Sequence, residues 1–195
     1  MIRKLINIVF PHTYRTGIII GATFFAIGVG LIGIYASAVD YTNSTAFCAF
    51  QCHEMQRPYS EYMTTKHYKN EFGVRAECPD CHVSHQRWQF TMYAKALATN
   101  DLFEHFFGHY ASAADVDAQF EADRAAMAKR VWARMKESDS RECRNCHSYE
   151  GMELGEQMKV AQRQHSTAVE KGKTCIDCHK GLVHKSVNEL LESTP

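Results

Sequence analysis

Residues 78 to 82 read Cys78-Pro79-Asp80-Cys81-His82, and the same order recurs at Cys143-Arg144-Asn145-Cys146-His147 and at Cys175-Ile176-Asp177-Cys178-His179. A fourth copy, Cys48-Ala49-Phe50-Gln51-Cys52-His53, has three residues between its cysteines. All eight cysteines of the 195-residue chain fall in these pairs, and a histidine follows each pair at once. Four disulfides are the ordinary reading of eight cysteines outside the cytoplasm, but a disulfide framework has no use for that histidine. Zinc sites use both residue types without requiring His directly after every second Cys. Covalent haem requires both, because the two thiols add to its two vinyl groups and the adjacent imidazole takes the iron from the same side. With roughly 0.02 chance matches expected at this composition, three perfect copies decide the chemistry. The sequence predicts four haem c groups on Cys48, Cys52, Cys78, Cys81, Cys143, Cys146, Cys175 and Cys178. His82, His147 and His179 are the predicted proximal ligands.

The first site leaves its ligand open. Met55 lies two residues beyond His53, and two residues reach at most about 7 Å, too little for the pair to grip one iron from opposite faces. Either His53 is the proximal ligand and Met55 packs, or the extra loop residue brings Met55 under the iron and raises the potential.

The four sites form two similar halves, since Cys78 follows Cys48 by 30 residues and Cys175 follows Cys143 by 32. Further histidines sit at matching places. His67 lies eleven residues before Cys78 and His165 ten before Cys175, while His85 and His184 follow His82 and His179 by three and five. These four are the candidate second ligands. His85 cannot serve the haem held by His82, because three residues span only about 10 Å. Self-capping by His184 across Gly181 is strained. His12, His105 and His109 have no counterpart in the repeat and are left out.

Gly17 to Val39 reads GIIIGATFFAIGVGLIGIYASAV, 23 residues without a charge. At about 1.5 Å per residue it can cross a bilayer. Ala36-Ser37-Ala38 would suit signal cleavage, but signal cores run about 7 to 15 residues, so an uncleaved anchor is expected. Arg3, Lys4 and Arg15 precede the span and Asp40 follows it. The positive-inside rule then puts residues 1–16 in the cytoplasm and residues 40–195 on the periplasmic side of the inner membrane. A formal net charge of zero argues against nucleic acid as partner. Residues 113–138 lack Gly and Pro and repeat apolar residues at helical intervals (Val116, Phe120, Met127, Val131, Met135), predicting an amphipathic helix between haem-pair halves at about 40–100 and 139–185. The expected fold is mainly α: one N-terminal transmembrane helix and a small multihaem domain of short helices and loops. In that domain the haems supply much of the core.

The single span, Cys52-His53-Glu54-Met55, His67-Tyr68, Gly73-Val74-Arg75-Ala76, Cys78-Pro79-Asp80-Cys81-His82-Val83 and Trp132-Ala133-Arg134-Met135-Lys136 together resemble the membrane-anchored tetrahaem quinol dehydrogenases of the NapC/NirT family. The resemblance covers nearly the whole chain. Asp139-Ser140-Arg141-Glu142-Cys143-Arg144-Asn145-Cys146-His147 and Thr174-Cys175-Ile176-Asp177-Cys178-His179-Lys180-Gly181 look most like its nitrate-reductase donor branch. The resemblance implies oxidation of menaquinol or ubiquinol from the membrane quinone pool and delivery of electrons to a periplasmic reductase or soluble cytochrome. It also implies Met55 on the first haem with Asp101 beside the open face, His165 capping the third haem and His67 the fourth, and Lys95 and Asp101 near the quinol. The family's usual first motif has two residues between its cysteines, not three. Two other readings remain: a membrane anchor and electron wire within an oligomer or larger complex, without its own quinone chemistry, or quinone reduction in the reverse direction. A terminal oxyanion reductase would want a cationic pocket, and no basic cluster adjoins the motifs.

Overall fold

The computed structural model describes residues 12–83, 87–108, 110–112 and 114–187, side chains from residue 14 onward. Among these residues there are helices and loops and no strand. The first helix, α1 (His12–Thr42), is longer than the apolar run that predicts it, about 46 Å at 1.5 Å per residue. Tyr14–Thr42 is long and apolar enough to cross a membrane, with mean hydropathy 2.3 over its most apolar window. Its hydroxyls are satisfied within the helix, Thr23 donating to the Ile19 carbonyl and Ser37 to that of Gly33, both at 2.9 Å. Such internal pairing is what a lipid solvent demands. The chain divides into two units between Asn43 and Ser44.

The second unit contains α2 (Thr45–Phe50), a 3₁₀ turn at His53–Met55, α3 (Gln56–Tyr62), α4 (Cys78–His82), α5 (Trp88–Phe106), α6 (Val116–Glu137), α7 (Arg141–Arg144), a second 3₁₀ turn at Leu154–Glu156, α8 (Lys159–Ala168) and α9 (Cys175–Cys178). Residues inside the Cys motifs explain why the motifs are helical. The Asp80 carboxylate accepts from the Glu77 amide at 2.7 Å, and Asp177 accepts from the Thr174 amide at 3.0 Å. Each closes a capping box on a one-turn helix.

The predicted connecting helix is α6. It begins at Val116, where the Asp115 side chain accepts from the Ala118 amide at 3.0 Å. Phe120 is buried, and Val116, Met127, Val131 and Met135 are half-buried on the same face. About 33 Å long, α6 packs on the 3₁₀ turn of the first motif and on α9 of the last. It is the spine of the domain. Protein core is sparse: among the described residues the buried apolar or aromatic side chains are Ala49, Pro58, Tyr62, Pro79, Tyr110, Phe120, Ile176 and Val187.

Polar clamps hold the motifs together. Asp139 and Ser140 both adopt left-handed backbone, with φ of 54° and 50°, a conformation that costs a non-glycine residue about 1 kcal/mol or more. Ser140 is fully buried there, and its hydroxyl accepts from Thr174 Oγ1 at 2.8 Å and the Ile176 amide at 3.1 Å, joining the approach to the third motif to the fourth. Replacing Ser140 by Ala strands both donors and should destabilise the loaded domain by about 1–3 kcal/mol. Thermal unfolding checks this, and an unchanged midpoint would show that the clamp carries no stability.

Candidate haem centres

Three of the motif histidines face a second histidine. The ring centroids of His82 and His184 are 6.1 Å apart, those of His147 and His67 6.3 Å, and those of His179 and His165 5.9 Å. With metal–imidazole bonds of about 2 Å, two imidazoles on opposite sides of one iron stand roughly 6 Å apart centre to centre. Each pair also has two cysteines beside the motif histidine, so the donor set fits haem c.

The pairing crosses the repeat. His67, from the first half, faces His147 of the third motif, and His184, from the second half, faces His82 of the second motif. His165 faces His179 of the fourth. The resemblance assigns His165 to the third haem and His67 to the fourth. In the fold α4 packs on α7, which brings the second and third motifs side by side. His85 lies outside the described residues.

The motifs follow one another in space as in sequence. Cys48 is close enough to Cys78 for their charges to interact, Cys81 to Cys143 and Cys146, and Cys143 to Cys175. The Cys78 amide donates to Thr45 Oγ1 at 3.0 Å, tying the second motif to α2 of the first.

His165 Nδ1 lies 2.7 Å from Gln157 Oε1, a contact that fixes the ring. His184 is held by its neighbourhood. The Lys185 amide donates to Glu61 at 2.9 Å, and Glu61 in turn pairs with the buried Arg124 guanidinium at 2.9 and 2.5 Å. Arg124 also donates to Glu121 at 2.8 Å, and that contact pulls the Glu121 carboxyl down to about 2.

At the first motif His53 is exposed and Met55 is 37% exposed. The nearest facing ring is His105 on α5, with centroids 5.1 Å apart. Its Nδ1 lies 2.9 and 3.0 Å from the two Glu54 oxygens. His105 has no counterpart in the repeat and lies one helical turn after Asp101 on α5.

Lys95 and Asp101 share α5 with it. Partial burial lowers Lys95, against the nearby Cys48 thiol. Desolvation raises the Asp101 carboxyl above its ordinary value, with Arg130 and Arg134 pulling the other way and Glu54 and Glu104 adding to the rise. Both residues therefore lie toward the first motif and α6. The same helix exposes Tyr93, Leu102, Phe103 and Phe106, with Phe107 just beyond it.

The sequence profile described as "NapC/NirT cytochrome c family, N-terminal region" matches residues 11–189. The chain belongs to the NapC/NirT cytochrome c family. Cytochrome c-type protein NapC of Escherichia coli K12 is 44% identical over 162 residues, covering 83% of this chain and 78% of that protein. The denitrification system component NirT of Stutzerimonas stutzeri is 44% identical over 169 residues, 86% and 78% of the two chains. A tetraheme cytochrome-c type protein of Allochromatium vinosum is 40% identical over 173 residues, 86% and 91%. No solved structure matches. The cofactor of this NapC/NirT family member is haem c, and α1 makes it a single-pass membrane protein.

The Arg124 cluster generates a pH prediction. Because Glu121 titrates lower in the fold than its ordinary 4.5, its stabilising contribution is complete above that pH and is lost as pH falls toward about 2. Arg124→Met should remove that acid-sensitive part and cost about 1–3 kcal/mol at neutral pH by taking from the half-buried Glu61 its charge-assisted hydrogen bonds. Unfolding midpoints measured from pH 7 to pH 2 for both proteins check the slope. Parallel profiles would show that Arg124 does not hold Glu121 ionised.

Proposed function

We propose that this cytochrome oxidises membrane quinol and passes the electrons along four haems to a periplasmic reductase or soluble cytochrome. The observation that carries this reading is the spatial order of the four Cys motifs, the first and last of them against α6, and three of them with two imidazoles at iron-spanning separation. Haem, when bound, supplies one-electron storage at each site. The chain supplies the rest. Cys48 and Cys52, Cys78 and Cys81, Cys143 and Cys146, and Cys175 and Cys178 fix each group covalently, and the facing histidines hold it from both sides. On this reading His82 with His184, His147 with His67 and His179 with His165 are the ligand pairs of the second, third and fourth haems. The haem domain lies on the periplasmic side, in keeping with the charges that flank α1.

Quinol enters on the side of α5. On oxidation to the quinone its polar ring gives up two electrons, taken one at a time by the haems, and two protons, and its tail is apolar; α5 offers Lys95 and Asp101 together with exposed Tyr93, Leu102 and Phe103. A carboxyl raised by desolvation is a better proton acceptor at neutral pH than an ordinary one. Asp101 takes one proton and water takes the other, and Lys95 orients the quinol oxygen. The name of one relative, a denitrification system component, points to denitrification as a setting, which fits a reductase downstream.

Addition of a soluble quinol to the purified protein should reduce the haems, with dithionite giving the total. Reduction by dithionite alone would leave an electron wire fed by another subunit. Asp101→Asn keeps the size of the side chain but removes its proton-accepting charge. Haem content should stay normal while quinol-driven reduction slows on the order of 10²-fold or more. A variant reduced at the original rate would remove Asp101 from the site.

The crossed pairing has its own test. His67→Ala should turn one haem high-spin in the otherwise intact protein. In a chain already lacking the third haem through Cys143→Ala and Cys146→Ala, the same change should add no high-spin signal. A high-spin signal there would return His67 to the fourth haem.

A further inference from the structure

His165 is held by a short strap of its own sequence. The second 3₁₀ turn, Leu154–Glu156, packs on α8, the helix that carries His165. The Gln157 amide donates to the Leu154 carbonyl at 3.2 Å. Gln162 Nε2 reaches back from α8 to donate to the Gln157 carbonyl at 2.6 Å and the Gly155 carbonyl at 3.3 Å. Both backbone groups of Gln157 are thus engaged, and its side-chain Oε1 lies 2.7 Å from His165 Nδ1. An amide oxygen only accepts, so Nδ1 is the protonated nitrogen and Nε2 keeps the lone pair that a metal needs. Met158, seven residues before His165, and Val169, four after it, lie on the same side of the helix. They are 81% and 65% exposed, an apolar surface that suits a flat macrocycle beside the imidazole. His184 has different surroundings, since its Nδ1 stands 4.0 Å from the Glu61 carboxylate.

We infer that Gln157 is a positioning residue for the haem that His165 binds, a neutral acceptor that fixes the ring and sets the potential of that haem. The inference rests on the reading that His165 is an iron ligand, and it holds for either haem of the second half. The partner of the outer nitrogen tunes an axial imidazole. The more strongly it draws the Nδ1 proton, the more electron density Nε2 gives the iron and the more ferric iron is favoured over ferrous. A carboxylate draws that proton strongly and an amide oxygen weakly. Gln157 therefore orients the ligand as a carboxylate would, yet leaves the haem easier to reduce. On the proposed path electrons leave through the second half, where an easily reduced haem draws them away from quinol.

The test uses the full haem-loaded chain in detergent, with the potentials resolved by redox titration followed in the visible spectrum and by electron paramagnetic resonance. Gln157→Glu keeps the shape of the side chain and should lower the potential of one haem by about 59 mV, a shift on the order of tenfold in a one-electron equilibrium. Gln157→Leu removes the acceptor and should raise the same potential. Opposite shifts of a single haem are a signature that a merely structural role does not produce. Potentials unchanged in both variants, or moved in the same direction, would overturn the assignment. If Gln157→Leu does not assemble, the sign of the shift in Gln157→Glu decides alone. His165→Ala tests the underlying reading separately: it should turn one haem high-spin, and added imidazole should restore low spin. Spin states identical to wild type in His165→Ala would remove His165 from the iron, and this inference with it.

Discussion

Two imidazoles that share one iron have to face each other at roughly 6 Å between ring centres, and three histidine pairs in the second unit of the fold stand at that separation. Each motif supplies one ring at a fixed place, directly after its second cysteine. The second ring has to come from elsewhere in the chain, and where it comes from sets the topology. At the second and third motifs the facing ring comes from the opposite half, through His184 and His67. On the proposed ligation neither half completes its inner site alone, and the sequence repeat is one interlocked unit in space.

The protein parts that meet this condition are polar more than apolar. Few apolar side chains are buried, and positions are fixed by hydrogen bonds and ion pairs instead. Arg124 ties α6 to Glu61 of α3 and, through the Lys185 amide, to the segment bearing His184. Ser140 spends a strained backbone conformation to reach Thr174 and Ile176. Lys136 pairs with Asp177 at 2.5 Å, and Lys180 lies over the Trp132 ring, so the far end of α6 holds the fourth motif. A buried polar network of this kind specifies one arrangement because each member leaves an unpaired group if it moves.

What could be read from the sequence follows the range of the interactions concerned. The cysteine motifs, the apolar span and the α6 periodicity are local patterns, and each has its counterpart in the structure. The candidate second histidines were legible through the repeat, but their partners were not. Pairing His67 with His147 depends on α4 meeting α7, a contact between segments far apart in the chain that no spacing encodes. His184 faces His82 of the second motif, again a contact that no spacing encodes. The extension of α1 to Thr42 past Asp40 was likewise illegible, since a helix continues beyond its apolar stretch wherever no breaker stops it.

The central claim is that all four Cys motifs, including the longer Cys48 to Cys52 loop, carry haem in a single row. Intact mass of the purified, membrane-extracted protein tests it most directly. The account predicts the mass of the chain plus four covalent haems, with no free thiol among the eight cysteines. A mass corresponding to three haems, with Cys48 and Cys52 free or joined to each other, would contradict it.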